Sequence, residues 1–322
     1  MSGTEVTMTP DHPALSGSLC EARDLAAHVR SIALEAVPAR QGPFKGSVLN
    51  IDLDGVTLEI VHSDPVLLLG QAAEDQSGFL LMLDGKVKWN GASVGGGQVA
   101  LFGDGCPIAI ASRAALNCAL VSFNGSEAGG PLPPCERRLW QDRSVPVMQV
   151  DGRAHAQLAA FACAAEQISL SNEGIPGHAE TLHAQRASFQ DEVRNLFAPL
   201  QRNVPQRRSR PFLRVQIVRK ADDYLQANPA RPIYTDELCA ALGVSASCLH
   251  GAFETTLGIS PHRYLKLRRM TMVRAMLLSG STPWHSVKAA ALSHGFWHLG
   301  QFAHDYRSLF GESPSETLIR AQ

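Results

Sequence analysis

The chain has 322 residues, room for about two domains of ordinary size, and at 45% hydrophobic residues it can bury a sizeable core in each. Its net charge of −1 divides unevenly: residues 1–200 hold 13 basic against 22 acidic side chains, residues 201–211 add four Arg and no acid, and residues 212–322 hold 12 basic against 8 acidic. Seven scattered cysteines without a C-x-x-C pair exclude a disulfide framework, and the lack of a basic-then-apolar start or of any uncharged apolar run of about 18 residues points to a reduced, cytoplasmic chain with no membrane partner.

From Leu19 to Val37 the positions Leu25, Val29, Ile32, Ala33 and Ala36 predict a helix that Pro38 ends. Between Phe44 and Phe123 the pattern changes to short apolar runs separated by turn signals such as Asp54-Gly55 and Asp84-Gly85: Ser47–Leu53, Val56–His62, Phe79–Leu83, Val87–Trp89, Val99–Phe102, Ile108–Ala111 and Cys118–Phe123. These predict a small antiparallel barrel or sandwich, closed by the Gly- and Pro-rich stretch Gly125–Pro134. Helices are expected over Gly152–Ser169 and His178–Leu200. The second carries a stripe of Leu182, Phe189, Val193, Leu196 and Phe197, which either packs within the chain or forms a dimer seam. Residues 201–211, with Arg202, Arg207, Arg208 and Arg210, read as a basic linker.

Residues 212–322 read as helix throughout, and they contain a repeat. Leu249-x3-Phe253-x3-Leu257-Gly258-x-Ser260-Pro261 recurs as Phe302-x3-Tyr306-x3-Phe310-Gly311-x-Ser313-Pro314 at a constant offset of 53 residues. A constant offset means two copies of one supersecondary unit. In each copy the apolar residues line one helix face, Gly ends that helix, and Ser-Pro opens the next. The expected helices are Leu213–Ala227, one capped by Thr235, one capped by Ser245, a long one from Ser260-Pro261 to Ser279, one from Thr282-Pro283, one from Trp297 or His298, and one with a capping box at Ser313-Pro-Ser-Glu316. Two helix-turn-helix units in tandem, on the basic half of the chain, suggest that a polyanion is the partner.

Residues 212–322 resemble the DNA-binding domain of the AraC/XylS family of transcriptional regulators, through Leu238-x3-Leu242-Gly243-Val244-Ser245, Gly258-x-Ser260-Pro261-x2-Tyr264-Leu265 and Gly295-Phe296-Trp297 through Ser313-Pro314. The stretch Gly295–Tyr306 is similar to the activators of ethanolamine-utilisation operons within that family. The resemblance implies double-stranded DNA, RNA polymerase, a small-molecule effector bound in residues 1–200 and a second copy of the chain as partners. In a helix-turn-helix the second helix of each unit lies in the major groove and its outward face meets the bases. That face carries Ser247, His250 and Gly251 in the first unit and His298, Gln301, His304 and Arg307 in the second. Gln suits adenine and His reaches guanine N7 or a phosphate, so Gln301 and His304 are the leading base readers, with Arg307 on the backbone. The family often carries Arg at the positions of Ser247 and Gly251, so the first reader is sparse. Lys266, Arg268, Arg269 and Arg274 on the long helix are either phosphate contacts or structural ion-pair partners.

The expected class is therefore α+β: a small cupin-like β-barrel with helices in residues 1–200, with the barrel over 44–123, and an all-α tandem helix-turn-helix domain in 212–322. A cupin-type enzyme needs two His and a carboxylate inside the barrel. Only His62 lies between Phe44 and Phe123, and His178, Glu180 and His183 are spaced poorly for a metal, so no metal, cofactor or catalytic residue is assigned. The alternatives to an effector-controlled activator are a constitutive DNA-binding protein whose barrel only dimerises, and an enzyme with a nucleic-acid-binding tail. Trp89 and Phe79 would pack the core or line an apolar pocket.

Overall fold

The computed structural model describes residues 14–53, 55–103, 105–124, 147–171, 189–197, 210–228, 231, 233–279 and 286–321. Strands β1 (Ala14–Leu19), β3 (Gly46–Asp52), β4 (Val56–Ser63), β6 (Gln76–Asp84), β9 (Gln98–Phe102), β11 (Leu116–Asn124) and β12 (Val147–Gln149) form one antiparallel sheet, ordered β1-β3-β4-β11-β6-β9-β12. Strands β2 (Ile32–Pro38), β5 (Val66–Ala72), β7 (Lys86–Trp89), β8 (Ala92–Gly95) and β10 (Pro107–Ala111) form a second, ordered β2-β5-β10-β7-β8.

The two sheets enclose a core to which Val48, Val61, Leu80 and Leu120 come from the first and Ile32, Leu68, Trp89 and Ile110 from the second. The expected barrel is thus corrected to an open sandwich with strand ends at β1, β12, β2 and β8, and its strands run well outside 44–123. Both outer faces are covered by helices, so apolar surface is buried by layering and the ladder has no need to close. Trp89 lies between the sheets, whereas Phe79 faces the opposite side of its own sheet against Phe123 and Phe197, so the two do not share a pocket.

The helix expected over Leu19–Val37 is a short α1 (Ala22–His28) followed by β2. Two features override the helical spacing. The buried Glu59 carboxylate accepts from the backbone N–H of Arg30 at 2.5 Å and of Ser31 at 3.2 Å, donors that a continuing helix would spend on its own carbonyls. Burial also pushes the Glu59 carboxyl above its usual range, against the hydrogen bonds that it accepts. Beyond that point, Ile32, Leu34 and Ala36 alternate into the sandwich while Val37 faces the helical half, the period of a strand. Strand β5 was not expected at all. Its Val66 and Leu68 face the sandwich and its Leu67 and Leu69 the other side, so a strand buried on both faces reads as an unbroken apolar run.

The outer face of the seven-stranded sheet packs Leu58, Ile60, Leu81 and Val121 against α2 (Gly152–Ser171) and the helical residues 189–197. Phe189, Val193, Leu196 and Phe197 of the apolar stripe are buried there, so the stripe is used within the chain rather than as a seam between copies. Leu182 and the rest of the expected helix up to residue 188, the stretch Gly125–Pro134, most of the basic linker and Thr282-Pro283 lie outside the described residues.

The C-terminal helices are α3 (Arg210–Ala227), α4 (Thr235–Leu242), α5 (Ala246–Thr256), α6 (Pro261–Leu278), α7 (Val287–Ser293), α8 (Leu299–Phe310) and α9 (Pro314–Arg320). Ser245, Ser260 and Ser313 cap α5, α6 and α9 as expected, the last with a complete capping box through Glu316. Thr235 is instead the first helical residue, and Tyr234 is the cap without a side-chain bond. Among the described residues no helix is long and apolar enough to cross a membrane.

Candidate nucleic-acid interface

Helices α4 and α5 form the first helix-turn-helix and α7 and α8 the second, with α6 between them. At 18 residues α6 is roughly 27 Å long, close to one turn of B-DNA. Leu249, Ala252 and Phe253 of α5 are buried in one core, and Phe302, Tyr306 and Phe310 of α8 in another. That assignment leaves the expected readers outward. Ser247 and His250 are exposed and Gly251 is half-buried beside open space; His298, Gln301, His304 and Arg307 are all exposed. Trp297, immediately before α8, is 63% exposed, and Gly300 leaves a bare stretch of backbone next to Gln301.

Gln301 is not free on that surface. Its Nε2 donates to Asp305 Oδ1 at 3.1 Å, and Asp305 Oδ2 pairs with Lys266 Nζ of α6 at 2.6 Å. Partial burial would raise the Asp305 carboxyl, but the bonds from Lys266 and Gln301 outweigh it and hold the group below its usual range. The four-residue spacing of Gln301 and Asp305 is the local signal for this bond in the sequence; the approach of Lys266 from another helix carries none.

Two of the long-helix arginines are structural. Arg268 is 6% exposed and binds Asp222 at 3.0 Å and Glu35 of β2 at 3.1 Å, while Tyr264 donates to the same Asp222 at 2.6 Å. Arg274 is equally buried: Glu21 takes its Nε and Nη2 at 2.6 Å each, Glu312 lies at 3.0 Å, and its guanidinium sits 4.5 Å from the Phe310 ring. Buried guanidinium groups committed to carboxylates are not available to phosphates, so Arg268 and Arg274 are ion-pair partners rather than phosphate contacts. Arg269 donates to the Leu265 carbonyl and lies 5.3 Å from the Phe296 ring.

The sandwich holds the carboxyl end of each second helix. Lys88 Nζ donates to the carbonyls of Glu254 and Thr255 at 3.4 and 3.3 Å, and Arg113 to that of Gly258 at 3.2 Å. Cations there meet the negative end of the helix dipole. At the matched place in the second unit, the Gly42 N–H donates to the Ser308 carbonyl at 3.0 Å, and Pro43 lies against Gly311. Beneath the first unit, Leu67, Leu69, Ala109 and Ala111 of the five-stranded sheet share one core with Val215, Val218 and Leu249. None of these contacts was expected from the sequence.

Residues 238–320 match a family model described as a helix-turn-helix domain. The chain is 40% identical over 102 residues to the probable thc operon regulatory protein of Rhodococcus erythropolis, covering 32% of this chain and 31% of that protein. It is 39% identical over 95 residues to the XylDLEGF operon transcriptional activator 2 of Pseudomonas putida, covering 30% and 60%. A crystal structure of a probable AraC family transcriptional regulator from Rhodopseudomonas palustris is 45% identical and covers 33% of this chain and 98% of that one, at a TM-score of 0.31. The chain thus spans less than two thirds of the length of these two curated relatives.

Proposed function

We propose, from the match of residues 238–320 to a helix-turn-helix domain and the likeness of this region to a probable AraC family regulator, that the protein is a sequence-specific DNA-binding transcriptional regulator of the AraC type, acting as an activator. The observation that carries the reading is the division of α8: its Phe302, Tyr306 and Phe310 side chains are spent on the core, and Gln301, His304 and Arg307 stand exposed on the face that a second helix turns to the major groove. We place the control function in residues 1–200 and the DNA-binding function in residues 212–322. RNA polymerase and a second copy of the chain are the protein partners that this reading calls for, and the similarity of Gly295–Tyr306 to ethanolamine-operon activators supports a place near that subgroup. No catalytic role is proposed.

Control follows from the grip of the sandwich on both second helices. An effector that binds the sandwich changes output only through unequal affinity for two arrangements of those helices. The buried side chains of Trp89, Phe102, Leu68 and Met82 between the sheets support a second reading in which the sandwich takes no ligand and serves only to position and to dimerise.

Selection from random duplexes with the full chain tests the DNA-reading face. Gln301→Ala is expected to relax base preference at one position, and Arg307→Ala to weaken all sites alike. An equal loss across every sequence for Gln301→Ala would overturn the assignment of Gln301 as a reader.

A further inference from the structure

We propose that Asp305 is a positioning residue that fixes which end of the Gln301 amide meets the DNA, and that Lys266 serves to neutralise Asp305 rather than to contact phosphate. This rests on Gln301 being a base reader, as proposed above.

An ionised carboxylate only accepts hydrogen bonds, whereas a primary amide has a donor end and an acceptor end. At 3.1 Å from Asp305 Oδ1, the Gln301 amide must therefore present its nitrogen to the carboxylate and turn its Oε1 away. The choice follows from the partner's chemistry, not from which amide atom is drawn where. Gln301 then faces the duplex with an acceptor and with one remaining N–H. Adenine offers a donor at N6 and an acceptor at N7, and cytosine offers a donor at N4, so both are matched. Guanine shows two acceptors, and the outward Oε1 opposes them. Asp305 thus writes a preference against guanine into a side chain that could otherwise flip to suit it.

A carboxylate on this face would repel the phosphates of any duplex. Lys266 Nζ at 2.6 Å from Oδ2 cancels that charge locally, and it fixes the carboxylate plane from a different helix, so Oδ1 remains aimed at Gln301. Gln301, Asp305 and Lys266 form one chain of contacts from the reading face to the helix that joins the two units.

Random-duplex selection and affinity titration on the full chain test this. Asp305→Asn keeps the shape but can donate or accept, so it should free the amide and let guanine rise at the Gln301 position by at least about fivefold, whereas Asp305→Glu, still acceptor-only, should keep the wild-type preference. Lys266→Met should weaken binding to all sequences by a few fold, and adding Asp305→Asn to it should recover that loss. If Gln301→Ala relaxes the position and Asp305→Asn leaves it unchanged, the positioning role is overturned while the reader stands. If Gln301→Ala also leaves base preference untouched, both are overturned. A Lys266→Met loss that Asp305→Asn does not recover overturns the neutralising role.

Discussion

Arg274 lies on the long helix α6, where the sequence allows either a phosphate contact or a structural ion pair, and it is buried. Its neighbours explain why: two carboxylates, Glu21 and Glu312, the hydroxyls of Tyr306 and Thr317 at 3.3 Å each, and the face of Phe310 surround the guanidinium. Despite burial, which opposes its charge, the bonds to Glu21 and the interaction with Tyr306 push its proton affinity further up, so it stays cationic. Breaking one side of such a cluster strands the other charges. Arg274→Ala should therefore lower the stability of the full chain by about 3–5 kcal/mol in urea denaturation. Glu21→Gln, which leaves Glu312 in place, should cost less, about 1–3 kcal/mol. Equal small losses for both would show that the cluster is solvated. The sequence leaves an ion-pair role for Arg274 open but does not reveal its partner, because Glu21 and Arg274 are 253 residues apart and neither has a distinctive local setting.

The elements divide by how locally they are determined. The caps at Ser245, Ser260 and Ser313, and the helix stops at Gly258 and Gly311, were readable because a cap is satisfied within three or four residues of itself. Gly243, Gly258 and Gly311 all have left-handed backbone, with φ of 64, 74 and 79°. They differ in surroundings, which the sequence does not reveal. A side chain at Gly243 meets open space, whereas a Cβ at Gly311 would lie 2.7 Å from the Pro43 ring. Gly243→Ala should thus cost only the left-handed strain, about 1–2 kcal/mol, and Gly311→Ala distinctly more, with the added loss removed in a Pro43→Gly background. Thermal denaturation of the four variants checks it; indistinguishable losses at Gly243 and Gly311 would mean that Pro43 moves aside without cost. The strands show the opposite limit. Strands set between clear turn signals are legible, including β10, which is buried on both faces, whereas the helical spacing of β2 and the unbroken apolar run of β5 leave their identity to what packs against them. At the site, the outward positions of α8 follow from the repeat and the Gln301–Asp305 pair from its four-residue spacing, but the approach of Lys266 from α6 requires the fold.

At the scale of the molecule, four layers are stacked: helices, a seven-stranded sheet, a five-stranded sheet and the first helix-turn-helix unit. The second unit is joined to the sandwich differently, through the Glu21 ion cluster and the Gly42–Pro43 segment. One unit is thus fastened mainly by apolar burial and the other mainly by polar contacts, which are more readily exchanged for water or for a competing partner. Helix α6 and the two grips together set the separation of α5 and α8, and that separation determines what duplex geometry the protein accepts. Hydroxyl-radical footprinting of the full chain on its selected duplex measures it directly. Two protected windows about 10 base pairs apart on one face of the helix are the expected result. A single window, or two on opposite faces, would contradict the placement of α5 and α8 as paired readers.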